Sequence, residues 1–262
     1  MPELPDVETF RRYFNKTSLN KKIVKAEAVR SRVIKGISPQ NLQKKLKGNT
    51  FKSTERHGKY LIAATSGNKF LIMHFGMTGS LSYFNDSEGP MKHVHLLLTF
   101  QNNYKLAYRD PRTFGAIYFE ENKEAFLKRK KLGPDPLKGN YSFSSFKKAA
   151  EGKKETLKAF LMDQTILAGI GNIYSDEILF DAGIHPEKPV NKLSKSKSKE
   201  LFSSMKKVLR DSIKYEADAS NFPDDYLLNY RKKNAECPKC GGKIKKITIA
   251  GRSSYFCPNH QR

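Results

Sequence analysis

All three cysteines of the chain, Cys237, Cys240 and Cys257, lie in its last 26 residues. They form Cys237-Pro-Lys-Cys240 and, sixteen residues later, Cys257-Pro-Asn-His260. Each pair offers two soft or borderline ligands from one tight turn, and four such ligands suit tetrahedral zinc in a closed site. Three thiols cannot pair off, and none occurs in the first 236 residues, so a disulfide framework is not expected. One structural Zn2+ held by Cys237, Cys240, Cys257 and His260 is the expectation. Its task would be to hold out Arg252 and the flanking lysines.

The other end carries a different chemistry. Removal of Met1, usual before a small second residue, would leave Pro2 as a secondary amine. Attack of such an amine on a sugar aldehyde carbon gives an iminium whose positive charge needs no retained proton, so it stays an electron sink. A helix starting at Pro5 would lie behind the amine, its positive end favouring the unprotonated form, with Glu3 placed to shuttle protons. Taken alone, this would be an ordinary frayed terminus. A third feature is Gly169-Ile170-Gly171-Asn172, where backbone N–H groups can converge on a phosphate at the start of a helix. Alone, it fits an αα-hairpin with a glycine cap better.

The elements that must position these groups follow from periodicity. Residues 5–15 read as a helix, with Pro5 at its first position, Val7, Phe10 and Phe14 on one face and Arg11-Arg12 toward its end. From Lys22 to about Glu120 the pattern is that of strands. Hairpins are expected from Tyr60–Thr65 with Lys69–Phe75 and from His95–Phe100 with Lys105–Arg109, within a two-sheet sandwich or flattened barrel. Residues 121–154 are charged, turn-rich and weakly periodic, which reads as a linker. Helices are expected around Leu157–Gln164, over Ile173–Ala182 and over Ser194–Ala217. In the tail, Ile244, Ile247 and Ile249 face Tyr255-Phe256 across a hairpin turning near Ala250-Gly251-Arg252.

Composition narrows the partner. The 262 residues carry 49 Lys plus Arg against 26 Asp plus Glu, a net charge of +23. The last 32 residues hold nine of the basic side chains against one acid, Glu236. Basic charge from end to end favours a long polyanion over a membrane surface, where it would gather on one amphipathic helix. No apolar run is long enough to span a bilayer, and no secretory h-region precedes the first helix.

Read together, the motifs resemble the formamidopyrimidine-DNA glycosylase / endonuclease VIII family of base-excision repair enzymes. The opening Pro2-Glu3-Leu4-Pro5-Asp6-Val7-Glu8-Thr9 is followed in order by Gly58-Lys59-Tyr60, His74-Phe-Gly-Met77-Thr-Gly-Ser-Leu81, Lys92-His93 and Asp110-Pro-Arg112-Thr-Phe114-Gly115. Asp163-Gln164, Gly169-Ile-Gly-Asn172-Ile-Tyr-Ser-Asp-Glu177, and Gly251-Arg252-Ser through Phe256-Cys257-Pro complete the series.

The resemblance implies an α+β multidomain protein. A β-sandwich domain with its leading helix would cover 1–120, a linker 121–152, a helix–two-turn–helix domain 153–230 and a zinc hairpin 231–262, with duplex DNA in the cleft between domains. It implies a cytoplasmic, nucleoid-associated monomer of bacterial type that removes oxidised bases and then cuts the strand by β,δ-elimination. Pro2 would be the nucleophile, Glu3 the proton donor, Lys59 the residue of β-elimination and Arg252 that of δ-elimination. His93, Arg112, Lys153, Lys158 and Asn172 would contact DNA, while Met77, Arg112 and Phe114 would fill the hole left by the extruded nucleotide. A base cannot be attacked at its sugar carbon inside the stack, so flipping and refilling must go together.

Four departures bear on specificity. Asp6 stands where the formamidopyrimidine type usually has Glu, Thr113 where a second Arg is common, and His260 where the fourth Cys is usual. The span 218–236 is also shorter than the loop that closes over 8-oxoguanine in that type. The opening and the Met/Arg/Phe set favour the formamidopyrimidine branch, and the short span leaves room for ring-opened purines or oxidised pyrimidines. The rival readings are an endonuclease VIII-like preference for pyrimidines and a non-catalytic DNA binder. Retention of Pro2, Glu3, Lys59 and Arg252 together speaks against the binder.

Overall fold

The computed structural model describes residues 1–85, 87 and 91–262, which divide into two compact units. One holds Met1–Pro2 and Asp6–Lys130, the other Glu3–Pro5 and Lys131–Arg262.

The first unit is a sandwich of two four-stranded antiparallel sheets. Helix α1 (Leu4–Ser18) and strand β1 (Ile23–Ala28) are followed by α2 (Pro39–Leu46), β2 (Phe51–His57), β3 (Tyr60–Thr65) and β4 (Phe70–His74). Then come β5 (Ser80–Phe84), β6 (Val94–Phe100), β7 (Lys105–Arg109), β8 (Ala116–Glu120) and α3 (Lys123–Arg129). The sheet orders are β1-β6-β7-β5 and β2-β3-β4-β8. Alternation places Leu61, Ala63, Leu71 and Met73 from one sheet and Leu96, Leu98, Leu106 and Tyr108 from the other in one buried core, joined by Val7 and Phe14 of α1. Both expected hairpins are present, as β3–β4 and β6–β7. Glu8 ties α1 to the sheet: it pairs with Arg11 at 2.6 Å and with Arg56 of β2 at 3.3 Å. Burial pushes its carboxyl pKa up, but the guanidinium groups of Arg11, Arg56 and Arg12 outweigh that and hold it below the usual range.

The second unit is helical with a terminal hairpin. It contains α4 (Phe143–Ala150), α5 (Leu157–Met162), α6 (Asn172–Asp181), α7 (Lys195–Lys214), β9 (Lys245–Ile249) and β10 (Arg252–Phe256). Phe146, Leu157, Phe160, Leu161, Ile178, Leu179, Leu201, Met205 and Val208 form its core, with Leu4 among them. The β9–β10 pair turns through Ala250 (φ 47°) and Gly251 (φ 70°), the left-handed pair that a two-residue hairpin favours. A smaller cluster of Phe180, Leu227, Cys237, Ile244 and Cys257 seats the hairpin module on α6.

The stretch expected to be a linker is not one: it holds α3 and α4. Asn122 accepts the Ala125 N–H at 2.8 Å and Ser142 the Ser145 N–H at 3.2 Å, which caps both helices. Each helix has one fully buried aromatic anchor, Phe126 or Phe146. A single anchor in seven or eight residues leaves almost no periodic signal, which is why charge and turn residues dominate the sequence there. Among the described residues, no helix is long and apolar enough to cross a membrane.

Candidate active site and zinc centre

Helix α6 starts at Gly171, which has no side chain with which to cap the first N–H groups. Glu3 supplies the missing acceptor. Its carboxylate receives Gly171 N at 2.7 Å, Ile173 N at 2.8 Å and Tyr174 N at 3.2 Å, and the residue is 1% exposed. Of the N–H groups in the Gly169–Asn172 turn, that of Gly171 is therefore held by a carboxylate of the chain itself. Charge and helix dipole agree, since a negative group belongs at a helix N-terminus. The preceding turn is fastened by Gln164, whose Oε1 accepts Gly169 N–H at 3.0 Å and whose Nε2 donates to Met162 O and Ile170 O, both at 2.7 Å. Leu4 N–H donates to Gly169 O at 3.0 Å. Asn172 is half-buried, with its Oδ1 buried and unpartnered.

Behind this helix end lies a buried charge cluster. Lys158, expected to touch DNA, is instead wholly inaccessible, and its ammonium is paired with Asp176 of α6. The position on α5 that buries it is the one facing α6, so a lysine there needs an internal partner. Asp176 also accepts Arg231 Nη2 at 2.7 Å, Ser254 Oγ at 2.8 Å and Tyr255 N–H at 3.2 Å. Burial lowers the Lys158 pKa, partly against the pull of Asp176. Through these bonds α5, α6 and β10 share one anchor, and exposed Arg252 opens β10 two residues before Ser254. Nothing local in the sequence marks Asp176 or Arg231 as its members.

In the first unit, Lys59 sits in the tight turn between β2 and β3, beside Gly58 (φ 55°), and is buried to 9% exposure despite its place at a hairpin tip. Its charge reaches His74, whose pKa is driven down to about 4 by burial first and by Lys59 and Lys130 next. Neutral His74 accepts the Gly76 N–H at Nδ1, 3.2 Å away. Met77 and Phe114 are exposed at 40% and 56%, on the loops after β4 and after β7. The Arg112 guanidinium lies over the Phe114 ring, 5.0 Å from its centroid. His93 is exposed and Thr113 half-buried, and both are left-handed, at φ 60° and φ 57°. Lys153, in the second unit, is half-buried, 3.9 Å from Glu155. Pro2 is half-buried and one peptide bond from Glu3.

The zinc knuckles are formed. Cys237 O accepts Gly241 N–H at 2.9 Å, and Cys257 O accepts Gln261 N–H at 2.8 Å and His260 N–H at 3.2 Å. The sulfurs of Cys237, Cys240 and Cys257 lie within 4.8 Å of one another, a spacing that suits a shared metal. His260 is outside that trio. Its Nε2 lies 2.8 Å from Phe180 O and can only donate there, which leaves Nδ1 with the lone pair.

Comparison with known proteins covers the whole chain. Residues 1–117 match the formamidopyrimidine-DNA glycosylase N-terminal domain, 132–224 the formamidopyrimidine-DNA glycosylase H2TH domain, and 236–259 the zinc finger found in FPG and IleRS. The formamidopyrimidine-DNA glycosylase of Geotalea daltonii is 37% identical and that of Streptococcus thermophilus 35% identical, each over the full length of both chains. The Lactococcus lactis Fpg in complex with Fapy-dG DNA superposes with a TM-score of 0.90 at 34% identity, covering 99% of this chain and all of the other. The same relative's complex with oxidised-pyrimidine DNA gives a TM-score of 0.91 at 34% identity, with both chains fully covered.

Proposed function

The chain belongs to the formamidopyrimidine-DNA glycosylase family, and from that premise we propose how its own residues carry out the reaction. It is a base-excision repair enzyme that releases oxidised purines from DNA. With Met1 removed, the Pro2 nitrogen attacks C1′ of an extruded nucleotide as the bond to the damaged base breaks, and Glu3 hands a proton across. The observation that carries this reading is the Glu3 carboxylate, fixed by three backbone N–H groups in the residue that follows Pro2. A proton-transfer group must hold one position, and a rigid helix end provides it.

Lys59 then serves β-elimination and Arg252 δ-elimination, leaving a one-nucleotide gap. His93, Arg112 and Lys153 hold the DNA backbone, while Met77, Arg112 and Phe114 occupy the vacated space. Asn172 contributes at the turn through its side chain, since the N–H groups beside it serve Glu3. The functional division follows from these roles: a catalytic sandwich to about residue 120, a helical DNA-binding part up to 230 and a zinc hairpin from 231. A structural zinc rests on Cys237, Cys240 and Cys257, and we assign the fourth ligand to His260 through Nδ1. Donation of the other ring N–H to a backbone carbonyl is the usual support for a metal-binding imidazole. The ion takes no part in the chemistry and holds the knuckles that present Arg252. A cytoplasmic location follows from the substrate.

A second lesion class has an observation in its favour. The 218–236 span is short and packed against the end of α7, with Phe222 and Tyr226 against each other and against Tyr215, ring centroids 5.1 to 6.4 Å apart. The Tyr226 hydroxyl donates to Asp211 at 2.6 Å. A segment so fastened is poorly suited to close over 8-oxoguanine, which leaves room for ring-opened purines or oxidised pyrimidines. Single-turnover release of a formamidopyrimidine, 8-oxoguanine opposite C, and thymine glycol, with borohydride trapping on abasic DNA, tests the reading. The expected order is formamidopyrimidine first, with a covalent adduct at Pro2. Thymine glycol leading would move the chain to a pyrimidine preference, and failure to trap an adduct would remove the nucleophile.

A further inference from the structure

The loops that carry Met77 and the Arg112–Phe114 pair arise from different sheets, yet they are joined by a small hydrogen-bonded staple. Thr78 Oγ1 donates to Asp110 Oδ1 at 2.6 Å and accepts the Arg112 N–H at 3.2 Å. Asp110 is fully buried, and its second oxygen accepts Gly115 N–H at 2.7 Å. Its main chain is fixed as well: Asp110 N–H donates to His93 O at 3.0 Å, and His95 Nε2 donates to Asp110 O at 2.9 Å. The two loops also meet backbone to backbone, since a Cβ on Gly76 would lie 2.4 Å from the Phe114 carbonyl carbon.

This arrangement holds a strained turn. Thr113 is β-branched and left-handed, a conformation that persists only where its surroundings over-determine it. Asp110 and Thr78 supply those restraints on both sides of Thr113. The Thr78 hydroxyl thus bonds to both the Asp110 carboxylate and the Arg112 backbone. Its neighbour Met77 projects into solvent from the same loop.

We propose that Thr78 is a positioning residue for base extrusion: through Asp110 it fixes Met77 relative to Arg112 and Phe114, so that the three enter the duplex as one wedge. The proposal rests on the reading of those three side chains as the fillers of the vacated space. Without the staple, the wedge would have to be ordered at the moment of insertion, and that cost falls on base flipping. An abasic nucleotide has no base to unstack, so its cleavage depends on the wedge far less.

The test compares Thr78→Val, which keeps the shape and removes both hydrogen bonds, with Thr78→Ser, which keeps the hydroxyl. Single-turnover excision of a formamidopyrimidine is measured beside cleavage of a pre-formed abasic site, and 2-aminopurine next to the lesion reports unstacking by stopped-flow fluorescence. Thr78→Val is expected to lower the excision-to-abasic-cleavage ratio by about tenfold, the rate scale of one or two lost hydrogen bonds. It should slow the 2-aminopurine signal in parallel, and Thr78→Ser should restore both. An unchanged ratio in Thr78→Val overturns the proposal, as does an equal fall in both activities that Thr78→Ser fails to rescue. Wild-type enzyme that traps on abasic DNA but gives no 2-aminopurine response would instead refute the wedge reading beneath it.

Discussion

Asp176→Asn is the substitution that asks most of the second unit, because it removes charge from a site where four donors converge. The variant keeps the shape but presents an amide N–H2 to a cluster made of the Lys158 ammonium, Arg231, Ser254 Oγ and Tyr255 N–H. Breaking a buried ion pair from one side costs roughly 3–5 kcal/mol, because the remaining charge stays uncompensated. Lys158 is 0% exposed and its other acceptor is Ser253 O at 3.3 Å, so no solvent screening reduces that cost. At about 2–4 °C per kcal/mol the melting temperature should drop by roughly 6–20 °C. Lys158 can partly escape by losing its proton, which sets the pH dependence. Its pKa in the folded protein is already lowered, and without Asp176 it falls further below the unfolded value. Between those two values the unfolded chain binds more protons, so the variant's stability rises with pH and its deficit narrows from pH 7 toward pH 10. Calorimetric melting of wild type and variant across that range measures both effects. A deficit under about 1 kcal/mol at pH 7, or one that widens with pH, would refute the buried-pair reasoning. Gel resolution of the 3′ ends adds a functional readout. Loosening β10 should shift products from β,δ to β-elimination while base release persists, because Arg252 belongs to that strand and Glu3 does not.

Pro2→Gly should cut base excision by roughly 10^3-fold or more, the scale on which loss of a nucleophile acts, with DNA affinity nearly intact; equal loss of both in a gel-shift and excision comparison would point away from Pro2. Cys240→Ala should release zinc, measured by mass spectrometry of the purified protein, and weaken DNA binding by about tenfold as the module presenting Arg252 loses its fold; full affinity without zinc would uncouple the two. Binding to abasic DNA should fall with salt at a log–log slope of roughly −4 to −6, as five or six neutralised phosphates imply; a flat response would contradict the reading of the +23 charge.

What the sequence displayed and what it concealed separate along one physical line, the distance over which an interaction acts. The paired zinc knuckles, the β3–β4 and β6–β7 hairpins and the capped long helix α7 are built from residues a few positions apart, so spacing and turn chemistry expose them. Glu3 and its three N–H partners are 168 to 171 positions apart, and Lys158 and Asp176 are 18 apart on different helices. Neither pairing leaves a periodic trace. The glycine turn before α6 illustrates the consequence. Read locally, converging N–H groups ask for an anion, and they do bind one. The anion that the structure places there is the Glu3 carboxylate, held by the Gly171, Ile173 and Tyr174 N–H groups. Lys158 is concealed in the same way: a lysine in a basic segment reads as a phosphate contact until the helix opposite proves to carry its partner. Cationic residues can therefore be sorted by a single question, whether an acid waits across the packing interface. Lys158 and Arg231 are committed internally, whereas Arg112 and Arg252 sit exposed, and it is among such exposed cations that DNA contacts should be sought by alanine substitution.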